Sequence, residues 1–193
     1  RWDIESDTLR LVAGLRGTFN DYDWEASVQK GRSRSEQSGD QSQGWVRVDW
    51  LQEQINLGNY NPFGGVTNPQ SVIDDITTSL VRRGESRMTS VDAHITGEAF
   101  SFGDDVVMMA AGVEYREEQV SDVPDVQFQR GLIFGTESVS ASAERDQYAA
   151  YLELSIPLAE QLELQLAGRY DHYSDFGSTT NPKIALRWAP SDE

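Results

Sequence analysis

Residues 147–170 read QYAAYLELSIPLAEQLELQLAGRY. Two runs of strict alternation stand side by side in this stretch. Tyr148, Ala150, Leu152, Leu154 and Ile156 alternate with Gln147, Ala149, Tyr151, Glu153 and Ser155. After a break at residues 157–160, Leu162, Leu164, Leu166, Gly168 and Tyr170 alternate with Gln161, Glu163, Gln165, Ala167 and Arg169. A period of 2 sends successive side chains to opposite faces of a strand. One face therefore meets an apolar medium and the other meets water. The two runs form an antiparallel hairpin, and the fold is all-β.

The same pattern recurs along the chain. Leu9, Leu11, Ala13, Leu15, Gly17 and Phe19 make one apolar face, and Tyr22, Trp24, Ala26 and Val28 make the next, beyond an Asn20-Asp21 turn. Val91, Ala93, Ile95, Gly97 and Ala99 follow, then Val107, Met109, Ala111, Val113 and Tyr115, and last Ile184, Leu186 and Trp188. This predicts about seven strands, over residues 8–19, 22–34, 87–99, 106–119, 144–156, 161–174 and 181–189. The connections alternate. Short turns at 20–21, at Gly103-Asp104, at 157–160 and at Pro190-Ser191-Asp192 are interleaved with long loops at 35–86 and 120–143 and an intermediate one at 175–180. A meander with long strands and long loops at one end is the layout of an outer-membrane barrel. Sandwich strands average about 5–6 residues. Membrane strands need roughly 9–11. Tyr22, Trp24, Tyr115, Tyr148, Tyr170 and Trp188 lie on the apolar face, several near strand ends, where girdle aromatics or ordinary core packing would both place them.

Within the longer loop, Val72, Ile73, Ile76 and Leu80 follow helical spacing, and Gly84 suits a C-cap. This predicts a helix over about 71–82, lying over the barrel mouth. Residues 31–44, rich in Ser, Gln and Gly without periodicity, read as a mobile loop.

Composition excludes several classes of function. A net charge of −16 over 193 residues argues against a nucleic-acid partner, because phosphates need a basic surface. The absence of cysteine removes disulfides, thiolate metal sites and cysteine nucleophiles. A mean hydropathy of −0.54 leaves no run for a spanning helix, although a barrel strand needs only every second residue apolar. His94 and His172 are the only histidines and fall on separate strands, which argues against a metal centre. The carboxylates at 104, 105, 117, 118, 122 and 125 sit at turns and strand ends, where solvated acids are ordinary. Residues 39–44 lack the ligand spacing of a calcium loop. Nothing points to an enzyme or to a cofactor.

Residues 166–188 read LAGRYDHYSDFGSTTNPKIALRW. This stretch resembles the C-terminal barrel region of TonB-dependent outer-membrane receptors. There an R-Y-D-x-Y-S-like strand end leads through a glycine-containing loop to T-N-P-K and a strand closing on Trp and Pro. The matching positions are Arg169, Tyr170, Asp171, Tyr173, Ser174, Gly177, Thr180, Asn181, Pro182, Lys183, Trp188 and Pro190. AGVEYRE at 111–117 resembles the family's G-x-E-Y-R strand. AAYLELSIP at 149–157 resembles its approach to a periplasmic turn. Asn61-Pro62-Phe63-Gly64 resembles a loop motif of one branch. That branch often has cysteines near this motif, and this chain has none.

The resemblance implies an active-transport receptor of the cell outer membrane, importing a scarce ligand such as a siderophore, vitamin or oligosaccharide. A passive outer-membrane pore and a soluble all-β binding module are the alternatives. Such receptors have 22 strands and a plugged lumen. About seven strands, with no initiator Met, no signal and no plug domain, read as a fragment that would need its missing strands. The implied partners are outer-membrane lipid, the plug and the rest of the barrel, a small-molecule ligand, and an inner-membrane energy-coupling protein reached through the missing N-terminal part. The candidate lumen-lining residues are Arg16, Glu25, Asp92, Glu114, Arg116, Glu153, Arg169, Lys183 and Arg187. They would hold the plug by reversible polar contacts or guide a hydrophilic solute. Tyr60, Asn61 and Phe63 are the candidate ligand contacts, with Phe63 pinning its loop to the neighbouring helix as the other reading.

Overall fold

The computed structural model describes residues 2–40, 44–103 and 105–190. In chain order the elements are β1 (Trp2–Phe19), β2 (Tyr22–Gly39), β3 (Trp45–Val46), α1 (Val48–Asn56), α2 (Gln70–Ile76), β4 (Thr77–Thr78), β5 (Leu80–Phe102), β6 (Asp105–Val123), α3 (Val126–Gln129), β7 (Ala141–Ala159), β8 (Leu162–Tyr173) and β9 (Gly177–Trp188). Seven strands form one antiparallel meander in the order β1-β2-β5-β6-β7-β8-β9. β3 and β4 pair in a separate small sheet.

The hairpin expected at 147–170 is present, with Leu154 opposite Leu166 and Ile156 opposite Leu164. The third strand continues the register, with Leu166 opposite Ile184 and Leu162 opposite Trp188. The apolar face is bare: Leu9, Leu11, Leu15, Phe19, Ile184, Leu186 and Trp188 are all exposed. Asn20 and Asp21 both have positive φ, +47° and +69°, as a two-residue type I′ turn requires. Cross-strand aromatics cover glycines. The Tyr22 ring lies over Gly97, Trp24 over Gly17 and Tyr151 over Gly112, so that a Cβ on Gly97 would sit 2.6 Å from Tyr22.

The chain divides into two compact units. Residues 10–31, 87–119 and 144–193 hold most of each strand and the short turns. Residues 1–9, 32–86 and 120–143 hold strand ends and the two long connections. The second of these has its own small core of Ile76, Leu80 and Ile133, all buried.

Several boundaries differ from the sequence reading. Strand β1 begins at Trp2 rather than 8, and β2 runs to Gly39 rather than 34. β5 spans 80–102 rather than 87–99, and β9 starts at Gly177 rather than 181. β6 and β7 are extended likewise. Main-chain ladders need no apolar side chains, so pairing continues after the alternation stops. Polar pairs support it: Arg34 Nε to Glu85 at 3.1 Å, Arg83 Nε to Glu36 at 2.8 Å, and Arg82 with Asp122. Residues 31–39 are therefore strand rather than mobile loop; of the rest of that reading, residues 40 and 44 lie in no strand and 41–43 lie outside the described residues. The long connections contract to residues 40–79 and 124–140. The expected helix over 71–82 is shorter. It stops at Ile76 because β-branched Thr77 turns extended, its hydroxyl donating to the Ile73 carbonyl at 3.0 Å. Gly84 lies in β5 and caps no helix. Pro157 is inside β7, opposite Glu163, and the turn falls at 160–161. Asp104, Ser191 and Asp192, parts of two expected turns, lie outside the described residues.

Candidate functional site

On the polar face of the strands, five of the nine candidate lumen residues are engaged by neighbours. Glu114 binds Arg116 at 2.7 Å and Arg169 at 3.3 Å. Arg169 also reaches Asp171, whose carboxylate is buried, with Nε at 3.0 Å from Oδ1. The series continues through Arg116 to Glu118 and from Glu118 to Arg145. Asp92 accepts from Ser27 Oγ at 2.8 Å, and Arg187 lies 3.6 Å from Glu163. Thus β6, β7 and β8 share one ionic network. Sequence reasoning missed Glu118 and Arg145, although their parity places them on the polar face.

The remaining four, Arg16, Glu25, Glu153 and Lys183, have no hydrogen-bond or ion-pair partner among the described residues. Arg16 and Glu25 line an open cleft of about 410 Å³ together with Asp23, Thr18, His94 and Thr96. Glu153 and Lys183 flank Ala167 in one cross-strand row, separated by that small side chain. The two histidines are not brought into a ligand set. Among the described residues no three His, Asp or Glu side chains could hold a metal ion.

The two long connections are joined to each other. The segment 45–48 is the middle strand of a three-part arrangement. On one side Trp45 and Val46 pair with Thr78 and Thr77, and the Arg47 N–H donates to the Ile76 carbonyl at 2.9 Å. On the other side Val48 N–H donates to Leu132 O and Phe134 N–H to Val46 O, both at 2.9 Å. Trp45 meets Phe128 edge to face at 5.4 Å. Arg47 binds the Asp49 carboxylate, lies 4.2 Å over the Trp50 ring and reaches Gln127 at 3.5 Å. The hydrogen bond with Arg47 holds the Asp49 carboxyl below its usual range, and the same contact raises Arg47. Asp125 caps α3 through the Gln127 N–H and accepts from the Val81 N–H, which ties the second connection to the start of β5.

The loop carrying the three candidate ligand contacts is closed on itself. Asn68 Oδ1 accepts the Asn61 N–H at 2.7 Å, while its Nδ2 donates to the Asn61 carbonyl at 3.1 Å. Asn61 Oδ1 accepts from the Phe63 N–H, and its Nδ2 donates to the Gly64 carbonyl at 2.9 Å. Gly64 and Gly65 supply the positive φ that the tip needs. Phe63 is 94% exposed, so it does not pin the loop to a helix. The Asn61 side chain is used up inside the loop and so positions the tip, and Tyr60 is half-buried at its base. Asn68 was the residue missed: its spacing from Asn61 carries no motif.

A family model described as "TonB dependent receptor-like, beta-barrel" matches residues 1–193. The chain belongs to the TonB-dependent receptor β-barrel family. TonB-dependent receptors are outer-membrane transporters, not enzymes. Among solved structures, a mutant of the ferric enterobactin receptor PfeA from Pseudomonas aeruginosa is similar, at 15% identity and a TM-score of 0.59. The match covers 98% of this chain and 24% of that one. The siderophore receptor PirA from Acinetobacter baumannii gives 16% identity and a TM-score of 0.54, with 98% and 24% covered. The RagAB peptide transporter gives 12% and 0.50, with 96% and 20% covered. Identities this low show the shared fold. The chain thus spans about a quarter of the siderophore receptors it matches. No curated protein sequence matches it. No helix among the described residues is long and apolar enough to cross a membrane; a TonB-dependent receptor crosses with strands.

Proposed function

We propose that this chain is part of a receptor that binds a scarce small ligand outside the cell and imports it with energy passed on by an inner-membrane coupling protein. The observation that carries the reading is the family match over the whole chain. The seven strands would be one section of a larger barrel in outer-membrane lipid, closed by further strands and filled by a plug domain. The polar face supports a division of labour. Asp92, Glu114, Arg116, Arg169 and Arg187 hold the wall together through the pairs already formed. Arg16, Glu25, Glu153 and Lys183 keep their charges unspent and serve as reversible contacts to the plug. Exposed Phe63 contacts the ligand, Tyr60 supports the loop base, and Asn61 positions the tip.

The test is ligand-dependent uptake in cells lacking the full-length gene, complemented with and without the coupling protein. Uptake that needs both supports the importer. Uptake unchanged when coupling is removed would leave a passive pore.

A further inference from the structure

Between Glu53 and Asp74 the chain carries no charged residue. At the chain-wide charged fraction of 25%, a stretch of that length would hold about five. This segment includes the closed loop that projects Phe63. Its polar side chains are mostly amides: Gln54, Asn56, Asn59, Asn61, Asn68 and Gln70. Among the described residues, the Asn56 amide nitrogen, the Asn59 amide oxygen and the Thr67 hydroxyl have no protein partner, and all three residues are exposed. The surface therefore offers an exposed ring together with neutral donors and acceptors.

The arginines nearby are already committed. In the unit that holds this loop, Arg32 and Arg34 meet Glu85, Arg47 meets Asp49, Arg82 meets Asp122 and Arg83 meets Glu36. Arg130 is the described arginine of that unit left without an acidic partner. A polyanionic metal chelate would meet net negative charge here and, among the described residues of this unit, no spare basic cluster.

The geometry points to a neutral oligosaccharide as the ligand class this loop recognises, a conclusion that rests on the receptor reading. A sugar ring presents a flat face of C–H groups, which an aromatic ring covers at little desolvation cost. Its hydroxyls both donate and accept, as side-chain amides do. Neither contact needs a charge, which accounts for an uncharged loop in a strongly acidic chain. Closure by Asn61 and Asn68 lowers the ordering cost of binding, because the tip is set before the ligand arrives.

The test uses the full-length receptor in detergent. The probes are a panel of neutral oligosaccharides (glucans, xylans, mannans and galactans) with a ferric tricatecholate chelate alongside. A member of the neutral panel binds, and its affinity changes by less than about twofold between ~0.05 and ~0.5 M salt. Phe63→Ala weakens that binding about 2- to 12-fold, the range of one lost ring contact, and Phe63→Trp retains it. Phe63 packs on nothing, so both variants keep the heat-modifiable gel mobility of the folded barrel. Three results would overturn the inference: the chelate binds and salt weakens it, the folded receptor retains no neutral sugar, or sugar binding ignores Phe63→Ala. Sugar binding with uptake independent of the coupling protein would instead sink the importer reading and leave the ligand class standing.

Discussion

Replacing Arg47 by alanine loosens the joint between the two long connections and leaves the strands alone. Its guanidinium lies 4.2 Å over Trp50, a contact worth about 0.5–1 kcal/mol at a partly exposed site. Its fork on Asp49 adds roughly 0.2–1 kcal/mol, discounted because that carboxylate is about half exposed. Both contacts lie within the first connection and fix the 45–50 segment that the second connection pairs with; together they amount to about 1–2 kcal/mol of local opening energy, or roughly 5- to 30-fold in an opening equilibrium. The assay is amide hydrogen exchange on the full-length receptor. Peptides covering 45–48, 76–80 and 132–134 should exchange faster by that factor, and peptides from β8 should be unchanged. Arg47→Lys, which keeps the charge without the fork, should fall between. Acid gives a second reading. The Arg47 hydrogen bond lowers the Asp49 pKa, so its contribution is complete above the unfolded value near ~3.9 and disappears as pH falls through the folded value. The gap between wild type and Arg47→Ala is therefore flat near neutrality and narrows in acid. Equal exchange in the two proteins at neutral pH would refute the claim that Arg47 holds the joint.

Two further outcomes follow from the same contacts. Glu114→Gln leaves Arg116 and Arg169 without their shared carboxylate and lowers barrel stability by about 1–3 kcal/mol, whereas Glu153→Gln and Lys183→Gln change it by less than about 0.5 kcal/mol and impair uptake instead. Denaturant melts paired with uptake rates separate the two groups. Gly97→Val drives a side chain against Tyr22 at 2.6 Å and the Asp21 carbonyl at 3.1 Å, costing about 1–3 kcal/mol, read as earlier loss of heat-modifiable gel mobility.

Strand identity and facing were legible because a period-2 pattern is written directly in residues such as Leu162, Leu164 and Leu166. Strand ends were not, because Arg34, Glu36, Arg83 and Glu85 extend the ladder through ion pairs that look like loop composition. Helix α2 was found but overrun, since the β-branched pair at 77–78 ends it by pairing with Val46 and Trp45, far upstream in the chain. Helix α1 went unread although Val48, Leu51 and Ile55 stand at helical i, i+3, i+7 spacing, because it is short and its N-cap, Arg47, offers no side-chain cap to mark its start. The place of Phe63 in a long connection was legible from its motif, but its exposure was not. The Asn61–Asn68 closure and the pairing of lumen charges were not, because both depend on which side chains meet across turns and strands.

The placement of segment 45–48 between 76–78 and 132–134 has a consequence for redesign and for inheritance. A chimaera that transplanted residues 40–79 alone into a related receptor would expose the Val48 N–H and Val46 carbonyl along an open edge, and would leave the Leu132 carbonyl and the Phe134 N–H unmatched on the host side. The two connections are therefore one exchangeable module written in two separated pieces of sequence. Recombination that preserves these backbone pairs has to carry both pieces together.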